Sequence, residues 1–357
     1  MKISDKFAFY AKGDIKIVNK IIKSKKLSGT SEAVSEYENK LASFFKSRYT
    51  VAVSSGTSAI QVALYALGVK PGDEVIVSST CPSMSIVSII ELGAKPIFCD
   101  THQDNFGLDF GDLSMVISSK TKAVMEVPMW GYPTDAVGLK KILRKHKLPL
   151  ILDLAQAHGT KLDDKYLSHF GDISCFSTHD RKILPTGEGG FCLTNNRRHY
   201  EIMQSYIKFG NMNGVDFGLN FKLGSMQAAL GSNRINFITN QIKKRTKNAK
   251  YILDKIKNEK INEFKIIKKG FPNYYTLLLE VKNDNCNKFI DYLDRNGIPS
   301  DIRRYDYKVL YEYPLFKKYS RKCTNSEELS RSITTIPTHP GLTKKDLDYM
   351  IDIINKF

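Results

Sequence analysis

One lysine, Lys182, stands in the stretch GDISCFSTHDRKILPTGEGG (171–190), between the apolar run Ile173–Phe176 and a turn rich in glycine (Gly187, Gly189, Gly190). A lysine so placed is held on constrained backbone beside a strand. Its amine can there be partly desolvated and aimed at a carbonyl, as a Schiff-base lysine must be. Asp153 closes the apolar run Leu150–Leu152 and precedes LAQAHG (154–159). A carboxylate ending a buried strand either caps a helix or faces a cleft as a functional ion. Gln156 and His158 follow at a spacing that lets them line the same cleft, although a lone histidine there is more often structural. A third feature is SSGTS (54–58), which leaves the apolar strand Tyr49–Val53 and opens a helix. Free N–H groups and the positive end of the helix dipole meet at such a turn, so a phosphate would find the amides and hydroxyls of Gly56, Thr57 and Ser58. The plainer reading is an ordinary strand-to-helix turn with a Ser/Thr cap. Together the three supply an anion cradle, a carboxylate for a pyridinium nitrogen and a lysine for an aldehyde, which are the requirements of pyridoxal 5′-phosphate.

These groups need a frame. Apolar runs at 49–53, 74–78, 96–100, 121–127, 148–154 and 191–194 alternate with helical patterns at 59–67, 84–92, near Leu113, 139–146 and 197–209. Continuous apolar strands separated by helices predict a parallel sheet covered on both faces, with its ligand site at the carboxyl ends of the strands. Helices over 15–26 and from Ser31 precede the sheet. A long helix is expected from Gly224 towards Lys257. Strands at 274–281 and 333–337 and helices at 285–296 and 344–357 follow, with an irregular stretch at 298–319. The expectation is an α/β fold: a large, doubly wound, mostly parallel sheet domain over 1–240, and a small C-terminal α+β domain over 241–357. The N-terminal helices can pack on the small domain.

A chain of 357 residues can hold two such domains. No apolar run is long enough to span a membrane, and residues 1–26 lack the uninterrupted apolar stretch of a secretory signal, so none is expected there. The six cysteines form no CxxC pair, and neither a disulfide framework nor a metal site is expected, which suits a cytoplasmic setting. The net charge is +17. Its densest part, 241–270, holds eleven Lys/Arg against three acids, as a solvated helix in a lysine-rich chain would. Basic residues are spread along the whole sequence without interleaved aromatics for base stacking. Nucleic acid is therefore not expected as a partner, and the field suits phosphorylated small molecules.

Over nearly its whole length the sequence resembles the DegT/DnrJ/StrS sugar aminotransferases, within the fold-type I pyridoxal-phosphate enzymes. The resemblance is carried by SSGTSAIQVALYALGVKPGDEVIV (54–77), GAKPIFCD (93–100), LDLAQAHG (152–159), FSTHDRKILPTGEGG (176–190), GLNFKLGSMQAALG (218–231) and IPTHPGLTKKDLDYM (336–350). It implies a pyridoxal-phosphate transaminase acting as a homodimer with active sites at the subunit interface. Lys182 would be the Schiff-base lysine and general base, Asp153 the pyridinium partner, and Gln156 a ring contact. Thr57, Ser58 and Ser177 would hold the phosphate, with Asn220 reaching in from the neighbouring subunit. The amino donor would be an amino acid, commonly glutamate, and the acceptor a keto sugar bound to a nucleotide. The product would be an amino sugar for surface polysaccharides or natural products.

The sequence departs from the family pattern at three places. Cys81-Pro82-Ser83 stands where an aromatic residue usually stacks on the cofactor, leaving Pro82 or Met84 to cover the ring. Thr178 replaces a usual Phe, and Lys222 replaces a usual Arg, losing a bidentate fork. Two alternatives stay open: a smaller phosphorylated ketone as acceptor, and a binding or regulatory protein on the same fold that has lost its chemistry. Retained Lys182 also argues against the dehydratase branch, which carries His in its place. Trp130, Arg303 and His339 are further candidates for the substrate pocket.

Overall fold

The computed structural model describes residues 1–282 and 285–357. Five strands come first: β1 (Tyr49–Val53), β2 (Glu74–Ser78), β3 (Lys95–Cys99), β4 (Thr121–Glu126) and β5 (Leu150–Asp153). A small pair, β6 (Lys161–Leu162) and β7 (Lys165–Tyr166), leads to β8 (Ile173–Ser177) and β9 (Gly190–Thr194). The large sheet has the order β1-β9-β8-β5-β4-β2-β3. From β3 to β8 every pairing is parallel, while β9 runs antiparallel to both β8 and β1. The sheet is thus mixed at one edge, because β8 and β9 are joined by a short connection that has no crossover helix.

Burial on both faces explains the apolar runs. Val51, Val53, Val75, Val77, Met125 and Ile151 enter one core, whereas Ala52, Ile76, Val124, Leu150 and Leu152 enter the other. Successive residues of each strand point to opposite faces, so each face needs its own apolar set. Across β8 and β9, Phe176 opposes Phe191, and the rings stack with centroids 4.5 Å apart. A pair of this kind adds roughly 0.5–1.5 kcal/mol beyond its buried area, and here it fixes the register of the hairpin that carries Lys182.

The remaining strands are β10 (Ile261–Glu263), β11 (Gly270–Phe271), β12 (Leu277–Val281) and β13 (Ile333–Ile336). Strands β10, β12 and β13 form a three-stranded antiparallel sheet, and β11 joins β6 and β7 in another. The irregular stretch 298–319 contains a one-turn helix, Asp301–Arg304.

The helix expected from Gly224 to Lys257 is two helices, Ser225–Arg234 and Ile238–Leu253, with a tighter turn at Ile235–Phe237 between them. The side-chain amide of Asn236 donates to the carbonyl of Asn233 at 3.2 Å, and such a local bond competes with the helical ladder. The helices Asp14–Ser24 and Glu32–Phe45 both pack against Ser225–Arg234. It is the extended segment before them that reaches the C-terminal region: Ile3 N donates to Gly297 O at 2.8 Å, and Phe7 stacks on His339.

Candidate active site

The connection between β8 and β9 is pinned at both ends. Thr178 N donates to Gly189 O at 2.8 Å, and Thr186 N to Thr178 O at 2.7 Å. Gly189 has φ +148°, and a Cβ there would lie 2.5 Å from Thr178 Oγ1, so only glycine closes the connection this way. Within it, Lys182 N donates to His179 O at 2.8 Å. The side chain of Lys182 emerges into a cavity of about 520 Å³. Its Nζ lies 5.3 Å from the centroid of the Tyr275 ring. Enclosure by protein pushes the ammonium below its ordinary pKa, while the charges of Asp153 and Asp301 pull it back.

Asp153, at the carboxyl end of β5, lines the same cavity and is 5 % exposed. Ser85 Oγ donates to its Oδ2 at 2.7 Å and Ala155 N to its Oδ1 at 3.1 Å. Burial raises its pKa; those two bonds and the charge of Lys182 oppose the rise. Among the described residues neither Asp153 nor Lys182 has an ion-pair partner within 4.0 Å. A buried acid and an enclosed amine therefore face one space without neutralising each other by contact.

The third element is the helix Gly56–Ala66. Ser55 caps it, accepting from Ser58 N at 3.0 Å, and the hydroxyl of Ser58 lies 2.8 Å from that of Ser55. Ser55, Gly56, Thr57 and Ser177 line the cavity. A Cβ on Gly56 would lie 2.7 Å from Ser177 Cβ, so the helix start approaches the end of β8 too closely for a side chain. Gln156 lines the cavity as well, its Oε1 accepting from Trp130 N at 2.6 Å. Pro82, Met84 and Val127 add apolar wall. Carboxyl ends of β4, β5 and β8 thus converge with the helix start on one space. A larger groove, about 1390 Å³, lies near the amino ends of β4, β5 and β8 and is lined by Lys122, Lys140, Arg144 and Arg198; Lys182 and Asp153 are elsewhere.

Other candidates fall outside this space. Asn220 is exposed on a loop, where Lys222 donates to its Oδ1 at 2.5 Å. His158 is fully buried at the edge of the Phe176 ring, and burial pushes its pKa down to about 3, so it stays neutral. Trp130 is buried against Phe106 and Tyr307. Arg303 points to solvent and pairs with Asp291 at 3.0 Å; its neighbour Arg304 lines the cavity instead. His339 lines a smaller adjoining cavity. Sequence reasoning passed over Arg181, Tyr275, Arg304 and Tyr305, all of which line the main cavity. For Arg181 the signal was adjacency to Lys182; for the others no local pattern existed. Among the described residues no cluster of His, Cys, Asp or Glu is placed to hold a metal ion, and no helix is long and apolar enough to cross a membrane.

The sequence profile of the DegT/DnrJ/EryC1/StrS aminotransferase family matches residues 10–355. The GDP-perosamine synthase of Escherichia coli O157:H7 is 29% identical over 354 residues, covering 95% of this chain and 94% of that protein. The crystal structure of an aminotransferase from Psychrobacter cryohalolentis superposes with a TM-score of 0.89 at 25% identity, covering 98% of this chain and 97% of that one. The S. venezuelae enzyme DesV, solved in complex with a ketimine intermediate, shares the fold with a TM-score of 0.90 at 23% identity, over 96% of this chain and 93% of its own.

Proposed function

We propose the following activity for this chain, which belongs to the DegT/DnrJ/EryC1/StrS aminotransferase family: transfer of an amino group from an amino acid, glutamate, to a keto sugar linked to a nucleotide. The enzyme would work in the cytoplasm as a homodimer, in the synthesis of an amino sugar for surface polysaccharide or a natural product. The single observation that carries the reading is the convergence of Lys182, Asp153 and the start of the helix Gly56–Ala66 on one cavity.

Those residues fit pyridoxal 5′-phosphate. The uncompensated acid suits a protonated ring nitrogen, the enclosed amine suits an aldehyde, and the helix start suits a phosphate. Gly56, Thr57, Ser58 and Ser177 would hold the phosphate, Asp153 the ring nitrogen and Gln156 the ring, with Pro82 and Met84 as apolar cover. Asn220 of the neighbouring subunit would complete the site. When bound, the cofactor supplies an electrophilic carbon and a ring that accepts the electron pair released at the donor's Cα.

The rest falls to the chain. Nζ of Lys182 takes the Cα proton and returns it at the other end of the shift, a task suited to an amine whose pKa enclosure has lowered towards the working pH. The bonds from Ser85 and Ala155 oppose the rise that burial imposes on the Asp153 carboxyl and so favour the ionised form that would hold a proton on the facing nitrogen. Apolar Ile60, Val127 and Pro128 limit water around the reacting atoms.

A panel of nucleotide-linked keto sugars set against small keto phosphates tests the assignment. Glutamate-dependent amination of a nucleotide-linked substrate is expected. Turnover confined to keto phosphates would replace the acceptor, and protein that never binds the cofactor would remove the enzyme reading.

A further inference from the structure

The chain places a carboxylate of its own at the edge of this cavity. Asp5, on the extended segment before the first helix, pairs with two guanidiniums: Arg181 at 3.3 Å and Arg304. Both arginines line the active-site cavity, and Arg181 is the chain neighbour of Lys182. The same two arginines also wall a narrow adjoining cavity of about 50 Å³, together with Asp5, Arg245 and His339. Arg245 is 5 % exposed; among the described residues it bonds only Tyr275 O, at 2.8 Å, its Nε has no partner and it makes no ion pair. A buried guanidinium without a counter-charge is costly and calls for an anion. Tyr275 links the two regions, its ring centroid lying 5.3 Å from Lys182 Nζ and 5.8 Å from the Arg245 guanidinium. Asp301, 3.7 Å from Arg304, is the other acid of the group.

We infer that this arginine cluster receives the carboxylates of the amino-acid donor, and that Asp5 is a resident stand-in which the donor displaces. The inference rests on the transaminase reading above. The donor's Cα must come within reach of Lys182 Nζ, so its α-carboxylate, one bond away, must lie near the cations beside that amine. Arg181 and Arg304 are those cations, and they already clamp a carboxylate between two guanidiniums. A dicarboxylic donor brings a second carboxylate, and Arg245 is the cation without one.

Residues 1–11 form neither helix nor strand. The backbone nevertheless stays anchored on both sides of Asp5, by buried Ile3 with its N bonded to Gly297 O, by His339 Nε2 bonded to Ser4 O at 2.8 Å, by Phe7 stacked on His339 at 5.5 Å and by Phe9 against Phe237. The displacement is therefore a turn of the Asp5 side chain away from the arginines. Asp5 also precedes the stretch matched by the family profile, which begins at residue 10. The displacement changes only which carboxylate neutralises the arginines, so the donor contends with an intramolecular competitor and its apparent affinity is reduced.

Glutarate, a dicarboxylate with no amine to give, is titrated by calorimetry into the cofactor-loaded enzyme. Asp5→Asn is expected to bind it about fivefold or more tightly than wild type, and Arg304→Gln at least about tenfold more weakly. Arg245→Met is expected to abolish the preference for glutarate over butyrate. Asp5→Glu keeps the competing charge and stays within about twofold of wild type, which separates competition from damage to the segment. Unchanged glutarate affinity in Asp5→Asn or Arg304→Gln overturns the inference. Inorganic phosphate is titrated in parallel; a gain for phosphate alone in Asp5→Asn would assign the cluster to the acceptor's phosphate and overturn it equally. Failure of the transaminase reading shows separately, as glutamate that never changes the cofactor's visible band, since glutarate binding needs no turnover.

Discussion

The hydroxyl of Ser85 donates to Oδ2 of Asp153 at 2.7 Å, tying the helix that follows Pro82 to the carboxyl end of β5. Burial pushes the Asp153 carboxyl towards its neutral form and this bond pulls it back. Ser85→Ala should therefore lower kcat/KM about tenfold, the order expected when a buried charge loses one donor. Asp153→Asn should cost roughly a hundredfold or more, because an amide cannot keep a facing ring nitrogen protonated. Steady-state kinetics, with cofactor retention followed by fluorescence, measure both.

Lys182→Ala should leave a folded protein without the visible absorbance of lysine-bound cofactor. Turnover should fall on the order of a thousandfold or more, since attachment and proton transfer are lost together. Absorbance spectra and single-turnover assays with glutamate check this, and a variant retaining more than a tenth of wild-type activity would contradict the assigned role.

Gly56→Ala tests the phosphate cradle. Its new methyl would sit 2.7 Å from Ser177 Cβ, so the helix start must retreat from β8. Overpacking of this kind costs about 1–3 kcal/mol, and the Tm should fall accordingly. Cofactor affinity should weaken as well, because the amides no longer converge.

Glu126, which does not line the Lys182 cavity, gives a pH signature of its own. It is 2 % exposed, and burial pushes its carboxyl up to about 7, with the Leu108 amide opposing at 3.3 Å. The folded protein therefore holds a proton there that the unfolded chain releases near its ordinary value. Its stabilising contribution is full at acid pH below that value, declines as pH rises, and is lost once pH passes about 7. Thermal denaturation of wild type should lose stability between pH 5.5 and 8 relative to Glu126→Gln, by about 2 kcal/mol. Parallel curves for the two proteins would remove Glu126 as the cause.

Shared active sites predict complementation between inactive variants. Asn220 lies exposed on its own chain, away from its own cavity. If it serves the neighbour, equal mixing and re-association of Lys182→Ala with Asn220→Ala should restore about a quarter of wild-type activity, since half the dimers are mixed and each has one intact site. No recovery would place Asn220 outside the chemistry.

Much of this arrangement can be read from the sequence because it is local. The large-sheet strands declare themselves as apolar runs since both of their faces are buried, and Lys182, Asp153 and Gly56–Ser58 stand next to such runs. What could not be read depends on helix phase or on distance along the chain. Between Arg303 and Arg304 only the turn of the short helix Asp301–Arg304 decides which one meets the cavity. Asp5 meets Arg181 across 176 positions, and no pattern near either residue signals the contact. The two-residue strands β6, β7 and β11 are too short for alternation to show. The break at Ile235–Phe237 has neither proline nor glycine to mark it.

Because the Lys182 connection is clamped where β8 meets β9, the position of the amine is inherited from sheet register. A slip of one residue in that hairpin would turn Phe191 out of the core and carry Lys182 away from Asp153 in the same movement. A chain assembled out of step would thus be inert and unstable at once, an easy mark for cellular proteolysis. Quality control and chemistry are coupled here through one pair of aromatic rings.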